Sequence, residues 1–559
     1  MKEIILPYAL KNASDHGRAN PKAVLAKVLG EKPELRSRAR DVMAEVTVVV
    51  AEVNALSKDE IAQKVGGYIF EKKAVSEKGL AELAGAVAGS VRLRFAPNPS
   101  GPLHMGHARA AVLNDEYSKK YGGKLVLRFE DTDPKRVDPE AYEMIREDLK
   151  WLGVEWHEEV LQSDRLDIYY MWAGELVSKG AAYVCTCRQE AFKTLRESGR
   201  ACACRDKMDT AESFEKMFTQ YSEGEAVLRL KTDLTHKNVS IRDFPIMRIV
   251  DTPHPRAGDK HVYPLMNLSV PVDDHELGLT HVLRGKDHIL NTHKQAYIYD
   301  YLGWDKPHYI HYGLLKIRDG MLSTSEMSRG IGAGMYSGWS DVRLGTISAL
   351  GRRGIQSKAV RRVMLDVGVK QTDITFSWKN LNAYNKEIVD PLANRYSFVE
   401  TNPSSPSTLL VTGCHAFVSV NRIHPTSDRG ERRVELAEGQ QSFLLNDSDF
   451  SRLQAGDIVR LMGAYNVEIN GVENNTAVAV FHSMSLEEAR ADKARLINWV
   501  KADEKISVDI LSSDGGCFGF AERDLLNSEV GCVVQFERFG FVRIDDKSEN
   551  KISAVFTHK

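Results

Sequence analysis

No stretch of this 559-residue chain reads as a membrane span. Its apolar runs, such as Val48 to Ala51, stop after a few residues, whereas a bilayer needs about twenty. Charge of one sign is missing too. With 75 basic and 77 acidic side chains and a net charge of -2, the summed charge gives no sign of nucleic-acid binding, so any RNA contact must come from local basic patches. Repeats and low-complexity tracts are absent. Met1 to Leu10 carries one early lysine, a short apolar stretch and no small-residue cleavage site. It does not read as a secretory signal, and the expected location is cytoplasmic. Cysteine is scarce, 7 in all, yet four crowd between Cys185 and Cys204. Such a set fits a reducing compartment with a metal site better than a disulfide framework.

What is present is a soluble composition, 43% hydrophobic and 27% charged, at a length that suggests about three or four folding units. Residues 1–90 carry helical spacing (Val24, Leu25, Val28, Leu29, then Val42, Val46, Val49, Val50), with Gly85 to Ser90 as a plausible linker. From Val91 to about Asn394, short apolar runs ending in Pro/Gly/polar loops alternate with helical patterns, the texture of an α/β domain with a parallel sheet. Within it, about 183–260 breaks the alternation and reads as an insertion. Residues 395–559 turn to short strand-like pieces, among them Thr408 to Val411, His415 to Val420, Asp457 to Leu461 and Thr476 to Phe481, which predicts an all-β barrel region with one helical stretch at Ser485 to Lys501.

The chemistry starts where the strand-like Val91 to Ala96 runs through Pro97-Asn98-Pro99-Ser100-Gly101-Pro102-Leu103-His104-Met105-Gly106-His107 into an amphipathic helix ending near Tyr121 and capped by Gly122-Gly123. A strand, a rigid turn and a helix N-terminus offer backbone N–H groups and the positive dipole end to a phosphate, and Gly106 lets a nucleotide approach the backbone. Two imidazoles three positions apart can hydrogen-bond a polyphosphate where charge builds. One histidine in a helix cap is usually a satisfied structural residue; two around a glycine at this junction reverse that preference.

Arg94 to His107 resembles the HIGH motif of class I aminoacyl-tRNA synthetases, in the extended form of the glutamyl-tRNA synthetases; a glutaminyl enzyme would be expected to have an acid near Asn98. The resemblance implies a multi-domain protein. It would have an N-terminal α-helical domain, a Rossmann-type catalytic domain with an insertion that holds the tRNA acceptor end, and a C-terminal β-barrel anticodon-binding region. The last element places the chain with the archaeal and eukaryotic branch. It also implies residue roles: Arg94 for the substrate side-chain carboxylate, suited to a permanently charged fork, and Glu130, in Glu130-Asp131-Thr132-Asp133, for the α-ammonium. Tyr263, Asn267 and Arg284 complete the glutamate pocket, and Pro97, Ser100, His104, Gly106, His107, His288 and Leu322 bind ATP. Read bottom-up, the acid cluster is equally a solvated loop or a cation site, and the other pocket residues are equally packing and surface charge. Arg284 could add a second positive charge that selects glutamate over neutral glutamine.

The second class I signature is weaker. In Met321-Leu322-Ser323-Thr324-Ser325 the catalytic candidates Ser323 and Ser325 align with the KMSKS loop, but both lysines are absent and Glu326 stands where related sequences usually have lysine. Arg329, Arg318 and Lys316 are the nearest substitutes for the positive charge that departing pyrophosphate calls for. Gly338-Trp339-Ser340-Asp341-Val342-Arg343 resembles a Trp-Asp-Asp-Pro-Arg element, which would turn Asp341 toward the acceptor stem, and Arg352, Arg353 and Lys358 to Arg362 could touch tRNA phosphates or simply be solvated.

Cys185-Thr186-Cys187 and Cys202-Ala203-Cys204 form two C-x-C pairs around the spacer Arg188 to Ala201. This arrangement suits structural tetrahedral zinc, ahead of four free cysteines and of a disulfide. The implied reaction is ATP- and Mg²⁺-dependent activation of L-glutamate to glutamyl-adenylate, then transfer to the 3′-terminal adenosine of tRNAGlu by a monomer, with tRNAGln left open as a second acceptor. The rivals are a small-molecule nucleotidyltransferase sharing the H-x-G-H loop, a non-catalytic RNA-binding paralogue, and a glutaminyl enzyme.

Overall fold

Asn20 and Pro21 start a helix in a way the sequence makes plain: the Asn20 side chain accepts from the N–H groups of Lys22 and Ala23, and proline takes the first turn, where no N–H is needed. In the computed structural model, which describes residues 1–66, 68, 80–317 and 323–559, this is the second of four α-helices among the described residues of a compact unit, Met1–Lys78. They are α1 (Lys2–His16), α2 (Pro21–Glu31), α3 (Ala39–Asn54) and α4 (Lys58–Gly66). Val42, Val46, Val49, Val50 and Val53 of α3 meet Val24 and Val28 of α2 in one core. Residues 80–90, which the sequence pattern groups with this domain and its linker, instead belong to the second unit, Gly79–Lys559. There Leu83 is buried and its N–H donates to the Tyr121 hydroxyl.

The second unit opens on β1 (Arg92–Phe95), α5 (Met105–Tyr121), β2 (Lys124–Phe129), α6 (Ala141–Leu152) and β3 (Glu158–Leu161). The three strands pair in parallel, and Gly122 ends α5 at φ +58. After α7 (Leu166–Ser178), the inserted segment folds as a four-stranded antiparallel sheet. Its strands are β4 (Ala182–Cys185), β5 (Val227–Leu230), β6 (Pro245–Ile249) and β7 (Val262–Pro264), with α8 (Gln189–Glu197) and α9 (Thr210–Thr219) between the first two. α10 (Met266–Glu276), β8 (His281–Gly285), α11 (Ile289–Leu302) and β9 (His308–Tyr312) return to parallel pairing, and the Thr280 N–H donates to Arg92 O, setting β8 beside β1. Next come β10 (Leu315–Lys316), α12 (Thr324–Gly332), α13 (Ile347–Arg352), α14 (Ser357–Val367), β11 (Ile374–Thr375) and α15 (Trp378–Val389).

From β12 (Arg395–Tyr396) and β13 (Phe398–Glu400) onward the chain is strand-rich. One seven-stranded sheet is built from β14 (Thr408–Cys414), β17 (Gly439–Leu445), β18 (Ile458–Leu461), β19 (Asn466–Glu473), β20 (Thr476–Ser483), β21 (Arg495–Ile497) and β22 (Trp499–Lys501). The hairpin β15 (Phe417–Arg422) and β16 (Glu431–Leu436) interrupts it. The other is built from β12, β13, β23 (Lys505–Ser512), β24 (Gly515–Glu522), β25 (Val533–Phe536), β26 (Gly540–Ser548) and β27 (Lys551–His558). The two orders, β21-β18-β19-β20-β14-β17-β22 and β12-β25-β26-β27-β23-β24-β13, are the same pattern used twice. Each sheet has two parallel pairs, β14–β20 and β18–β21 in one, β23–β27 and β12–β25 in the other, and its two outermost strands are consecutive pieces of one segment bent at Asn498 or Ser397. So a structural repeat exists where the sequence displays none. The stretch Ser485 to Lys501, expected to be helical, is helical only over Leu486–Ala491. Lys493 at φ +54 breaks the helix, and the buried Ile497 and Trp499 are taken up by β21 and β22. Among the described residues no helix is long and apolar enough to cross a membrane.

Candidate active site

The His104 turn is held from both sides. The Leu103 N–H donates to the Asp148 carboxylate of α6 at 2.7 Å, and Leu103 O accepts from Ile347 N. The Met105 N–H donates to Gly345 O. Gly101, at φ +152, lies against Thr324 and Trp339, so a Cβ there would come within 2.7 Å of the Thr324 methyl. The start of α12, with Ser323 capping it by accepting from Glu326 N, is thereby brought to the turn.

The two histidines form a capping box. His104 Nδ1 accepts from Gly106 N at 3.0 Å, His107 Nδ1 accepts from His104 N at 3.3 Å, and the rings stack 3.8 Å apart. With both Nδ1 atoms accepting, the protons sit on Nε2, so each ring has a donor to offer a ligand. Burial pushes His104 down to about 4, and burial together with the neighbouring His104 pushes His107 down to about 3. Both are therefore neutral near pH 7.

A cavity of about 570 Å³ opens at this turn, and Arg94, Pro97, His104, Gly106, His107, Glu130, Arg284 and His288 all line it. Eight residues expected at the site are thus in one wall. Ser100, Tyr263 and Asn267 are not among its lining residues. Tyr263 is buried with its hydroxyl donating to Lys260 O, and Asn267, on the first turn of α10, keeps a buried Oδ1 without a partner among the described residues. Glu130 is fixed by backbone: its N–H donates to Pro97 O, and the Asn98 amide donates to Glu130 O. Its neighbours do not make a cation site. Asp131 is buried, accepting from Tyr142, Ser163 N and Ser163 Oγ, and Asp133 pairs with Arg248 at 2.8 Å.

Arg94 and Arg284 are buried, 7% and 4% exposed. Among the described residues Arg94 makes one hydrogen bond, to Leu283 O at 3.0 Å, and Nε of Arg94 and Nε and Nη1 of Arg284 have no partner. Burial lowers Arg94, and burial plus the nearby Arg94 bring Arg284 down to about 10. Such a pair, deprived of water and, among the described residues, of a directly paired carboxylate, suits an anion.

The profile of the tRNA synthetases class I (E and Q) catalytic domain matches residues 90–391, and those of two anti-codon binding domains of the same class match 393–484 and 496–545. The chain is 53% identical, over the whole length of both proteins, to the "Glutamate--tRNA ligase" of Methanocaldococcus jannaschii. It is 49% identical, again over the whole of both, to that of Methanococcus maripaludis. For that of Methanopyrus kandleri the figure is 46%, covering 100% of this chain and 99% of the relative. The chain belongs to the class I (E and Q) tRNA synthetases.

For a class I synthetase the loop basic residues are the weak point. Arg318, Met321 and Leu322 lie outside the described residues. Lys316 pairs with Asp373 at 3.2 Å, beside Lys286 on the same carboxylate, and Lys316 does line the cavity. Arg329 points its Nε at Ser325 O. Asp341 is already engaged: Arg343 Nε and Nη2 and Ser337 N occupy its two oxygens, holding it well below the usual carboxylate range. The basic stretch that follows is largely neutralised within the chain, Arg352 by Asp545, Arg361 by Asp115 and Arg362 by Glu387. At the synthetase's inserted sheet, the four thiol sulfurs of Cys185, Cys187, Cys202 and Cys204 lie within 4.8 Å of one another, three of the cysteines buried. Tetrahedral zinc with Zn–S near 2.3 Å sets sulfurs about 3.8 Å apart, and Cys187–Cys204 at 3.8 Å and Cys185–Cys202 at 4.0 Å fit. Among the described residues this is the one group of His, Cys, Asp and Glu close enough to hold a metal ion.

What sequence reasoning missed is the support behind the pocket: Arg128 of β2, buried against Asp274, Asp273 and Glu130, and the α11 side chains Thr292 and Gln295 against Arg284. The signal for Arg128 was an arginine inside an otherwise apolar strand. For Gln295 no signal existed in the sequence.

Proposed function

We infer that this chain is a glutamate–tRNA ligase, activating L-glutamate with ATP and esterifying it to tRNA. The observation that carries this is the pairing, in one cavity, of the His104–His107 turn with two buried guanidiniums that have no ion-pair partner among the described residues. ATP, entering as its Mg²⁺ complex, places its phosphates at the start of α5, where the Nε2–H donors of His104 and His107 meet the charge that builds at the α-phosphorus. Arg94 and Arg284 take the substrate's side-chain carboxylate, and Glu130 takes its α-ammonium. The α-carboxylate then attacks in line and pyrophosphate leaves. A hydroxyl of the terminal tRNA adenosine attacks the mixed anhydride and AMP departs.

Ser323 and Ser325 lie at the α12 start, where Thr324 meets Gly101, and act on the leaving phosphates, with Lys316 the one of the three substitute basic residues that lines the cavity among the described residues. Asp341 shapes the 337–343 turn, so contact with the acceptor end comes through that turn. Cys185, Cys187, Cys202 and Cys204 would hold zinc with four thiolates and no open position, a structural role that fixes the inserted sheet. The two C-terminal sheets receive the anticodon.

The test is charging of purified tRNAGlu and tRNAGln with labelled glutamate. Esterified glutamate on tRNAGlu supports the reading; none on either tRNA, with ATP and Mg²⁺ saturating, defeats it. Product on both would mark a non-discriminating ligase.

A further inference from the structure

Among the described residues, every group that hydrogen-bonds or stacks on the Arg284 guanidinium is neutral. Its Nη2 donates to Thr292 Oγ1 at 2.6 Å and to Gln295 Oε1 at 3.0 Å, both from α11, and its guanidinium lies over the Tyr309 ring, 4.8 Å from the centroid. Thr292 Oγ1 accepts from Arg284, lies within hydrogen-bonding distance of His311 Nε2 at 2.8 Å and donates to His288 O at 3.3 Å. Burial pushes His311 down, so this neighbour is uncharged near pH 7 as well.

The arginine on the next strand but one is treated differently. Arg128 donates to Asp274 Oδ1 at 2.7 Å and Glu130 Oε1 at 3.0 Å, with Asp273 within 3.9 Å. Asp273 in turn binds Arg165 at 2.8 Å. Across this cluster four guanidiniums, Arg94, Arg128, Arg165 and Arg284, meet three carboxylates, Glu130, Asp273 and Asp274, and the unmatched charge falls on the Arg94–Arg284 side. Gln295 is fully buried, and its Nε2 has no partner among the described residues. A buried amide left half-satisfied costs stability, so its presence asks for a reason other than packing.

We propose that Gln295, with Thr292 beside it, is a specificity-determining positioning residue: it fixes the Arg284 fork in the cavity wall against repulsion from Arg94 without cancelling its charge, leaving that charge for an anionic amino-acid side chain. The proposal rests on the ligase reading above. A glutamate at 295 would hold the fork in the same geometry and neutralise it, and the pocket would then have no surplus charge with which to separate glutamate from glutamine.

Glutamate- and glutamine-dependent ATP–pyrophosphate exchange, with tRNAGlu present, measured on the wild type, Gln295→Glu and Thr292→Val, decides it. Gln295→Glu is expected to raise the KM for glutamate at least about tenfold, to keep kcat within about threefold, and to lower the glutamate-to-glutamine ratio of kcat/KM at least about tenfold. Thr292→Val, which keeps the shape and removes the hydroxyl, is expected to raise the same KM by about threefold to tenfold, because one of the two bonds on Nη2 is lost. A purely structural role would lower the thermal midpoint and kcat together and leave the ratio alone. If Gln295→Glu melts like the wild type and both KM and ratio stay within about twofold, the proposal is overturned. If that variant does not fold, the Thr292→Val values decide on the same criterion. A wild type without glutamate-dependent exchange would instead defeat the ligase reading, which keeps the two failures apart.

Discussion

Arg128 and Arg284 are both buried arginines of the parallel strands, yet their surroundings are opposite in kind. Around Arg128 burial alone would lower the basicity, but Asp274, Glu130 and Asp273 outweigh it and hold the guanidinium above its usual range. Around Arg284 burial and the like charge of Arg94 outweigh the pull of Tyr309, Asp274 and Glu130, and the group falls to about 10. A buried charge that is paired inside the chain belongs to the scaffold, whereas one held only by a threonine and a glutamine is kept for a ligand. The two lie in one cluster, so the paired set keeps rigid the frame in which the unpaired set waits.

The contrast can be broken most severely from the paired side. Arg128→Met strands Glu130, Asp273 and Asp274 without their cation and is expected to lower stability by about 3–5 kcal/mol, read as a fall in the denaturant midpoint of the catalytic region. Arg94→Met should do the reverse. With a single hydrogen bond to lose and a repulsion to relieve, its midpoint should stay within about 1 kcal/mol of the wild type. Its kcat/KM for glutamate should drop about 10²–10³-fold through the loss of a charge-assisted fork.

Cys204→Ser removes one of four thiolates and is expected to reduce bound zinc, by elemental analysis of purified protein, from one per chain to well below one, with local loosening of the inserted sheet detectable by hydrogen exchange. No appreciable zinc in the wild type would defeat the four-cysteine site.

The smallest effect concerns Asp148, the carboxylate behind the histidine turn. Burial pushes it up to about 7 despite its bond from Leu103 N. A carboxyl raised in the folded state contributes stability that is whole below its unfolded value near 4 and is lost as pH rises through 7. Asp148→Asn should therefore gain on the wild type by about 1 kcal/mol between pH 5 and pH 8. His104 and His107 run the other way, their contribution being whole above about 6.5 and lost as pH falls toward 4 and 3.

The legible part of the molecule was the part that is local in sequence. Strand, turn, helix and glycine cap from Arg92 to Gly122 follow from residues a few positions apart, and the wall of the cavity follows from that junction and the matching segments. Asp273, Asp274 and Gln295 were not legible, because their partners lie 11 to 146 positions away and polar residues on a helix ordinarily face water. Nor was the repeated strand order of the C-terminal region. Alternating burial along short strands leaves few fixed residues for two copies to share, and the β15–β16 hairpin interrupts one copy alone. Asp341 and the basic residues after it were identifiable as charged, but only the structure displays that Arg343, Asp545, Asp115 and Glu387 already neutralise them.

The central claim is that two unpaired guanidiniums select an anionic side chain. It is tested most directly by ATP–pyrophosphate exchange on the wild-type protein with glutamate and with glutamine as alternative substrates, tRNAGlu present. Exchange driven by glutamate, with glutamine weaker by at least about a hundredfold in kcat/KM, is the predicted result; equal exchange with the two amino acids, or none with glutamate, would contradict it.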